Sequence, residues 1–162
     1  MDALTLLKQQ HREVEAIFDR IEKADVDERA DLFAELADAF LVHGHLEEEI
    51  FYPAAFEDQT EDELRESVEE HLQAKRLLAD ILDLDPEDEQ WMAKCTVLKE
   101  DIQHHVREEE GKLFPLVQKT FTKRRLDELG QSMRERASEL QSEGEPRNLV
   151  YDELDQAVVP AP

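Results

Sequence analysis

The sequence predicts an all-α protein, an up-down-up-down four-helix bundle with a short fifth helix and a C-terminal tail. Three observations carry that prediction. Apolar residues recur at alternating steps of three and four over long stretches. The residue mix is dense in Ala, Leu, Glu and Arg, with only four Gly and six Pro, which favours helices over sheets. The two halves of the first 120 residues also repeat each other.

The first stripe runs Leu4, Leu7, His11, Val14, Phe18 and Ile21. After a polar break at Asp25–Asp27, the second runs Leu32, Leu36, Phe40, His43, Glu47 and Phe51. Pro53 should end or bend that helix, because proline lacks the backbone donor and clashes one turn back. The third stripe carries Leu64, Val68, His71, Leu78 and Leu82 and closes at the acidic turn around Pro86. The fourth carries Trp91, Cys95, Leu98, Ile102, His105, Glu109, Leu113 and Leu116. A shorter amphipathic segment runs from about Lys123 to Leu140, so residues 1–141 read as one bundle domain. Residues 142–162 are interrupted by Gly144 and by prolines and read as a tail.

The chain has 19 basic and 42 acidic residues, a formal charge of -23. Such a surface repels phosphate backbones and anionic lipid, which argues against nucleic-acid and membrane partners. The N-terminal MDALTLLKQQHREVE has no signal-peptide core, and no apolar run approaches membrane length. A cytoplasmic location is the expectation. Cys95 is the single cysteine and sits on a core stripe, which marks it as a packing residue rather than a nucleophile.

HGHLEEEIFYP at residues 43–53 contains two overlapping His-x-x-x-Glu registers, His43 with Glu47 and His45 with Glu49. The repeat separates them. His43, Glu47 and Pro53 recur 62 positions later as His105, Glu109 and Pro115, and His11 recurs 60 positions later as His71. Periodicity agrees, since His45 lies roughly 200° around the helix from His43 at about 100° per residue. His43 and Glu47 therefore face the core with Leu36 and Phe40, while His45, Glu49 and His104 face outward.

Four inward histidines and two inward glutamates would each cost roughly 1–3 kcal/mol or more if buried without partners. A metal ion relieves that cost. Imidazole and carboxylate together suit iron, manganese or zinc, and His and Glu one turn apart have Cβ atoms about 5–6 Å apart, close enough to share one centre. There is no HExxH, no Glu-x-x-His of the ferritin-like kind and no Gly-rich phosphate loop.

The phrases HREVEAIFDRIE, HGHLEEEIFYP, EHLQAKRLLADIL and HHVREEEGKLFP, in this order over residues 1–120, resemble the hemerythrin-like family of HHE cation-binding domains. The resemblance implies two non-haem iron ions with an oxo or hydroxo bridge. It implies His11 and His43 on one iron, His71 and His105 on the other, and Glu47 and Glu109 bridging both. Oxygen-carrying hemerythrins have a further histidine one turn after the third-helix ligand, where this chain has Lys75. Lysine is a protonated donor and no ligand, so a position on that iron stays open, and Lys75 is expected to snorkel to solvent. Tyr52 lies about 140° from Glu47 on an ideal helix, which predicts a packing role.

The resemblance thus implies a diiron centre that binds or reacts with a small oxidant, namely oxygen, hydrogen peroxide or nitric oxide. Turnover in the manner of a catalase or peroxidase is one form of that expectation. Reversible oxygen carriage, iron storage or sensing is the alternative, and carriage is weakened by Lys75.

Overall fold

The computed structural model describes residues 1–162 and contains helices and no strands. Helix α1 spans Ala3–Lys23 and α2 spans Val26–Leu46. A π-helical segment, Glu47–Phe51, leads from α2 into the short α3, Tyr52–Ala55. Helix α4 covers Glu61–Leu82 and α5 covers Trp91–Glu108. A second π segment, Glu109–Leu113, leads from α5 into α6, Phe114–Thr120. Helix α7 (Lys123–Ser142) and a 3-10 turn (Pro146–Asp152) complete the chain.

The helix starts are chemically marked. Asp2 caps α1 by accepting from the Thr5 amide, Asp25 and Glu28 form a capping box on α2, and Thr122 accepts from the Arg125 amide at α7. Pro53 does not end the second helix. It occupies the first turn of α3, where its missing N–H is no loss, and the irregularity falls upstream in the π segment. Pro115 stands likewise in the first turn of α6.

Neighbouring helices run antiparallel. Arg20 pairs with Glu35 toward one end of α1 and α2, and Gln10 meets His43 toward the other. Gln73 with Asp101 and Glu70 with His105 tie α4 to α5 in the same sense. The core is two apolar clusters separated by a polar layer. One holds Phe18, Phe33, Leu78, Trp91 and Leu98, and the other holds Leu7, Leu46, Phe51, Leu64 and Phe114. His11, His43, His71, His105 and both inward glutamates fall between them. Cys95 belongs to the first cluster, and burial pushes its thiol up to about 12 despite nearby Arg29.

Helix α7 adds Leu126, Leu129 and Met133 to the second cluster. It approaches α1 so closely that a Cβ on Gly130 would lie 2.5 Å from the Met1 carbonyl oxygen. The chain after α7 first folds back onto the bundle through the 3-10 turn. Gly144, at φ 144°, turns the chain in a conformation that favours glycine. Val150 is then fully buried in the first cluster, and Arg147 pairs with Asp38 at 2.7 Å. The physical reason is a few scattered apolar contacts, Pro146, Val150 and Leu154, flanked by ion pairs, a signal too short for periodicity to reveal. No helix is long and apolar enough to cross a membrane.

Candidate metal centre

Helices α1, α2, α4 and α5 each deliver one histidine to the polar layer, and the two π segments each begin with an inward glutamate, Glu47 and Glu109. All six side chains are buried. The structure brings His11, His43, Glu47 and Glu109 into one group, and Glu47, His71 and His105 into a second. Within each group the potential ligand atoms lie within 4.8 Å of one another. Glu47 belongs to both. Its Oε2 lies 3.2 Å from His43 Nε2 and 3.1 Å from His71 Nε2. Glu109 Oε2 lies 3.3 Å from His11 Nε2 and 3.5 Å from His105 Nε2.

The outer edges of the four imidazoles are all occupied. His11 Nδ1 meets Glu110 at 2.8 Å and His71 Nδ1 meets Glu48 at 2.9 Å. His43 Nδ1 meets Gln10 at 2.9 Å and His105 Nδ1 meets Glu70 at 3.1 Å. Every one of these partners is an oxygen acceptor, so each Nδ1 carries the proton and donates. In the neutral ring such a partner sets the tautomer that leaves Nε2 with a lone pair facing inward, the arrangement of a metal-ligating histidine. The sequence reading missed these partners, although the repeat marks them. Gln10 and Glu70 directly precede His11 and His71, and Glu48 and Glu110 directly follow Glu47 and Glu109.

The inward atoms are under-satisfied. His11 Nε2, His43 Nε2, Glu47 Oε1 and Glu109 Oε2 are buried without a hydrogen-bond partner. Orphaned buried polar groups are rare in folded proteins and demand an explanation. Here they converge on one layer and offer the nitrogen and oxygen donors that a transition-metal cation takes. Charge is also concentrated. Burial opposes ionisation of Glu47, but His43, His105 and His71 outweigh it and hold its carboxyl well below the usual range. Burial dominates at His43 and lowers it. At His105 burial is overcome by the Glu109 and Glu47 carboxylates, which raise it well above an ordinary histidine.

Two expectations are corrected here. Tyr52 does not simply pack. It is fully buried, its hydroxyl lies 2.7 Å from Glu109 and 3.0 Å from Glu47, and it stands 3.4 Å from His71 Nε2. The π segment is the cause. The Tyr52 amide bonds to the Glu47 carbonyl five residues back, so the wider turn swings residue 52 onto the face of residue 47. Lys75 does not snorkel. It is 3% exposed, with its Nζ 2.9 Å from Glu48 and 3.0 Å from Glu153 of the C-terminal segment. The nearby acids give the ammonium a buried partner, so reaching solvent gains nothing.

The outward register faces away as expected. His45 pairs with Glu49 at 2.6 Å and Glu153 at 3.1 Å, and the His104 side chain is 52% exposed.

Known proteins resemble this chain in sequence and in fold. The chain is 22% identical over 142 residues to a protein of Nostoc sp. (strain PCC 7120) described as a DNA nickase, covering 87% of this chain and 40% of that relative's length. It superposes on the crystal structure of a hemerythrin HHE cation binding domain-containing protein from Mycobacterium kansasii with a TM-score of 0.79. That match has 24% identity and covers 98% of both chains. The family model for the hemerythrin HHE cation binding domain matches residues 2–117, the span that contains every inward histidine and glutamate of the polar layer. The chain belongs to the hemerythrin HHE cation binding domain family.

Proposed function

We propose that the chain is a non-haem diiron protein that binds or reacts with a small oxidant, dioxygen, hydrogen peroxide or nitric oxide. The observation that carries this reading is the set of four orphaned buried atoms on His11, His43, Glu47 and Glu109, together with the second group that shares Glu47. Two donor groups joined by a carboxylate suit two cations, each held by a histidine pair from adjacent helices. A pair of irons, when bound, supplies Lewis acidity and electrons to a small ligand.

The protein's own residues supply the rest. Gln10, Glu48, Glu70 and Glu110 hold the imidazole rings in orientation. Tyr52 holds a proton beside His71, on the side where the donor group is smaller. Burial pushes the Tyr52 hydroxyl well above its ordinary range, and the Glu109 and Glu47 carboxylates push it further, so that proton is retained. The apolar clusters above and below exclude bulk water. Lys75 is committed to Glu48 and Glu153, which leaves the His71 and His105 group short of the extra ligand that an oxygen carrier has. Reaction with peroxide is therefore favoured over stable oxygen carriage. DNA cleavage is not carried over from the Nostoc relative, because a charge of -23 repels a phosphate backbone.

The test is anaerobic loading with Fe(II), metal analysis, and parallel measurement of peroxide loss and oxygen retention. The expected result is about two irons per chain, the number two donor groups provide, and removal of peroxide faster than any lasting retention of oxygen. A protein that holds oxygen for long periods and leaves peroxide untouched overturns the peroxide reading.

A further inference from the structure

We propose that Glu66, Glu70 and His104 form a surface cation site at the mouth of a cleft that passes divalent transition-metal ions inward to Glu109. The three side chains have ligand atoms within 4.8 Å of one another, at the open seam between α4 and α5. Imidazole with carboxylates is a donor set for iron, manganese or zinc rather than for calcium or magnesium.

An acidic surface cluster alone would say little. The cleft behind it says more. It is lined by Glu63, Glu66, Ser67, Glu70 and Glu108, with the buried Glu109 and Leu113 completing it. Glu109 is 1% exposed, and its unpartnered Oε2 lies on the far side, in the inner layer, 3.3 Å from His11 Nε2 and 3.5 Å from His105 Nε2. The free space is about 10 Å³, room for one water-sized particle and nothing larger. Glu70 spans the two levels, with Oε2 3.3 Å from His104 Nε2 at the surface and Oε1 3.1 Å from His105 Nδ1 inside. A cation on His104 and Glu70 is then separated from the inner layer by a single carboxylate.

The internal repeat provides a control within the same molecule. At the spacings of 60 and 62 residues, Glu66, Glu70, His104 and Glu108 correspond to Leu6, Gln10, Val42 and Leu46. The equivalent seam between α1 and α2 carries no charged residue at these positions and is covered by α7. The buried ligand set is therefore duplicated while the acidic cleft is not. Support of the histidines does not require the cleft's charge, because Gln10 supports His43 as Glu70 supports His105. An open, negatively lined seam concentrates cations and speeds their capture.

The inward route rests on the diiron reading, whereas the surface site does not. The test uses the full chain, freed of metal and titrated with Co(II), comparing wild type with the double variant Glu66→Gln/His104→Gln. Neither side chain is bonded to an inner ligand, and Glu70, which orients His105, is left in place. Wild type should take up one further, weaker equivalent that the variant lacks, and the variant should fill its inner layer about tenfold more slowly, as expected for a lost steering charge. At saturating Co(II) both should reach the same inner occupancy. Equal total equivalents in both proteins overturn the surface site, and equal filling rates overturn the route. If neither protein binds Co(II) in the inner layer, the diiron reading fails and the route with it. The weaker equivalent still decides the surface site.

Discussion

The Tyr52 hydroxyl donates to the Glu109 carboxylate at 2.7 Å, joining the start of α3 to the π segment after α5. The residue equivalent to Tyr52 in the repeat is Phe114, and the two rings occupy matching places. Tyr52 stacks on His71 at 5.7 Å, and Phe114 stacks on His11 at 5.9 Å. One half of the centre thus has a hydroxyl where the other half has a bare ring edge.

Tyr52→Phe should leave the fold intact, since Phe114 shows that the cradle accepts that shape. Loss of a hydrogen bond to a charged acceptor should cost the metal-free protein about 1.5–3 kcal/mol, read from urea unfolding midpoints. In the iron-loaded protein the optical spectrum should change as well. A spectrum and stability identical to wild type would show that the hydroxyl is idle.

His43→Ala and Glu47→Ala should each lose metal and thermal stability together, because metal binding and folding are coupled when the ligands come from several helices. His45→Ala and Glu49→Ala should keep nearly full metal occupancy. His45 and Glu49 bond instead to the C-terminal segment and to Arg136 of α7. Metal content by elemental analysis decides between the registers, and an emptied His45→Ala protein would reverse them.

Chelation should lower the melting temperature of the intact chain. The layer would then hold four imidazoles and two carboxylates with several buried atoms unpaired, each costing roughly 1–3 kcal/mol. Calorimetry with and without chelator is the measurement. An unchanged melt would mean that the network supports itself.

Lys75→Met should destabilise the protein by on the order of 3 kcal/mol, the scale for breaking a buried ion pair by removing one partner. Glu48 would keep only His71 among its present partners. Its carboxyl is held low because His71 and Lys75 outweigh burial. Adding Glu48→Gln to Lys75→Met should recover part of that loss. Such non-additivity in a double-mutant cycle would mark direct coupling, and strict additivity would contradict the pairing.

The sequence by itself determined the four inward stripes, the choice of His43 and Glu47 over His45 and Glu49, and the duplication of the ligand set. Those features follow from helical periodicity, which is local and regular, so a residue's face can be read from its neighbours. Only the tertiary structure decided the places of Tyr52, Lys75 and residues 142–162. Tyr52 was misread because the π segment widens one turn, and an angle counted at about 100° per residue fails across it. Lys75 was misread because its partner Glu153 lies 78 residues away, and only packing of the C-terminal segment through Val150 brings the carboxylate to the ammonium. A partner contributed by a distant segment leaves no periodic trace, so the burial of that charge becomes visible only once the chain has closed over it.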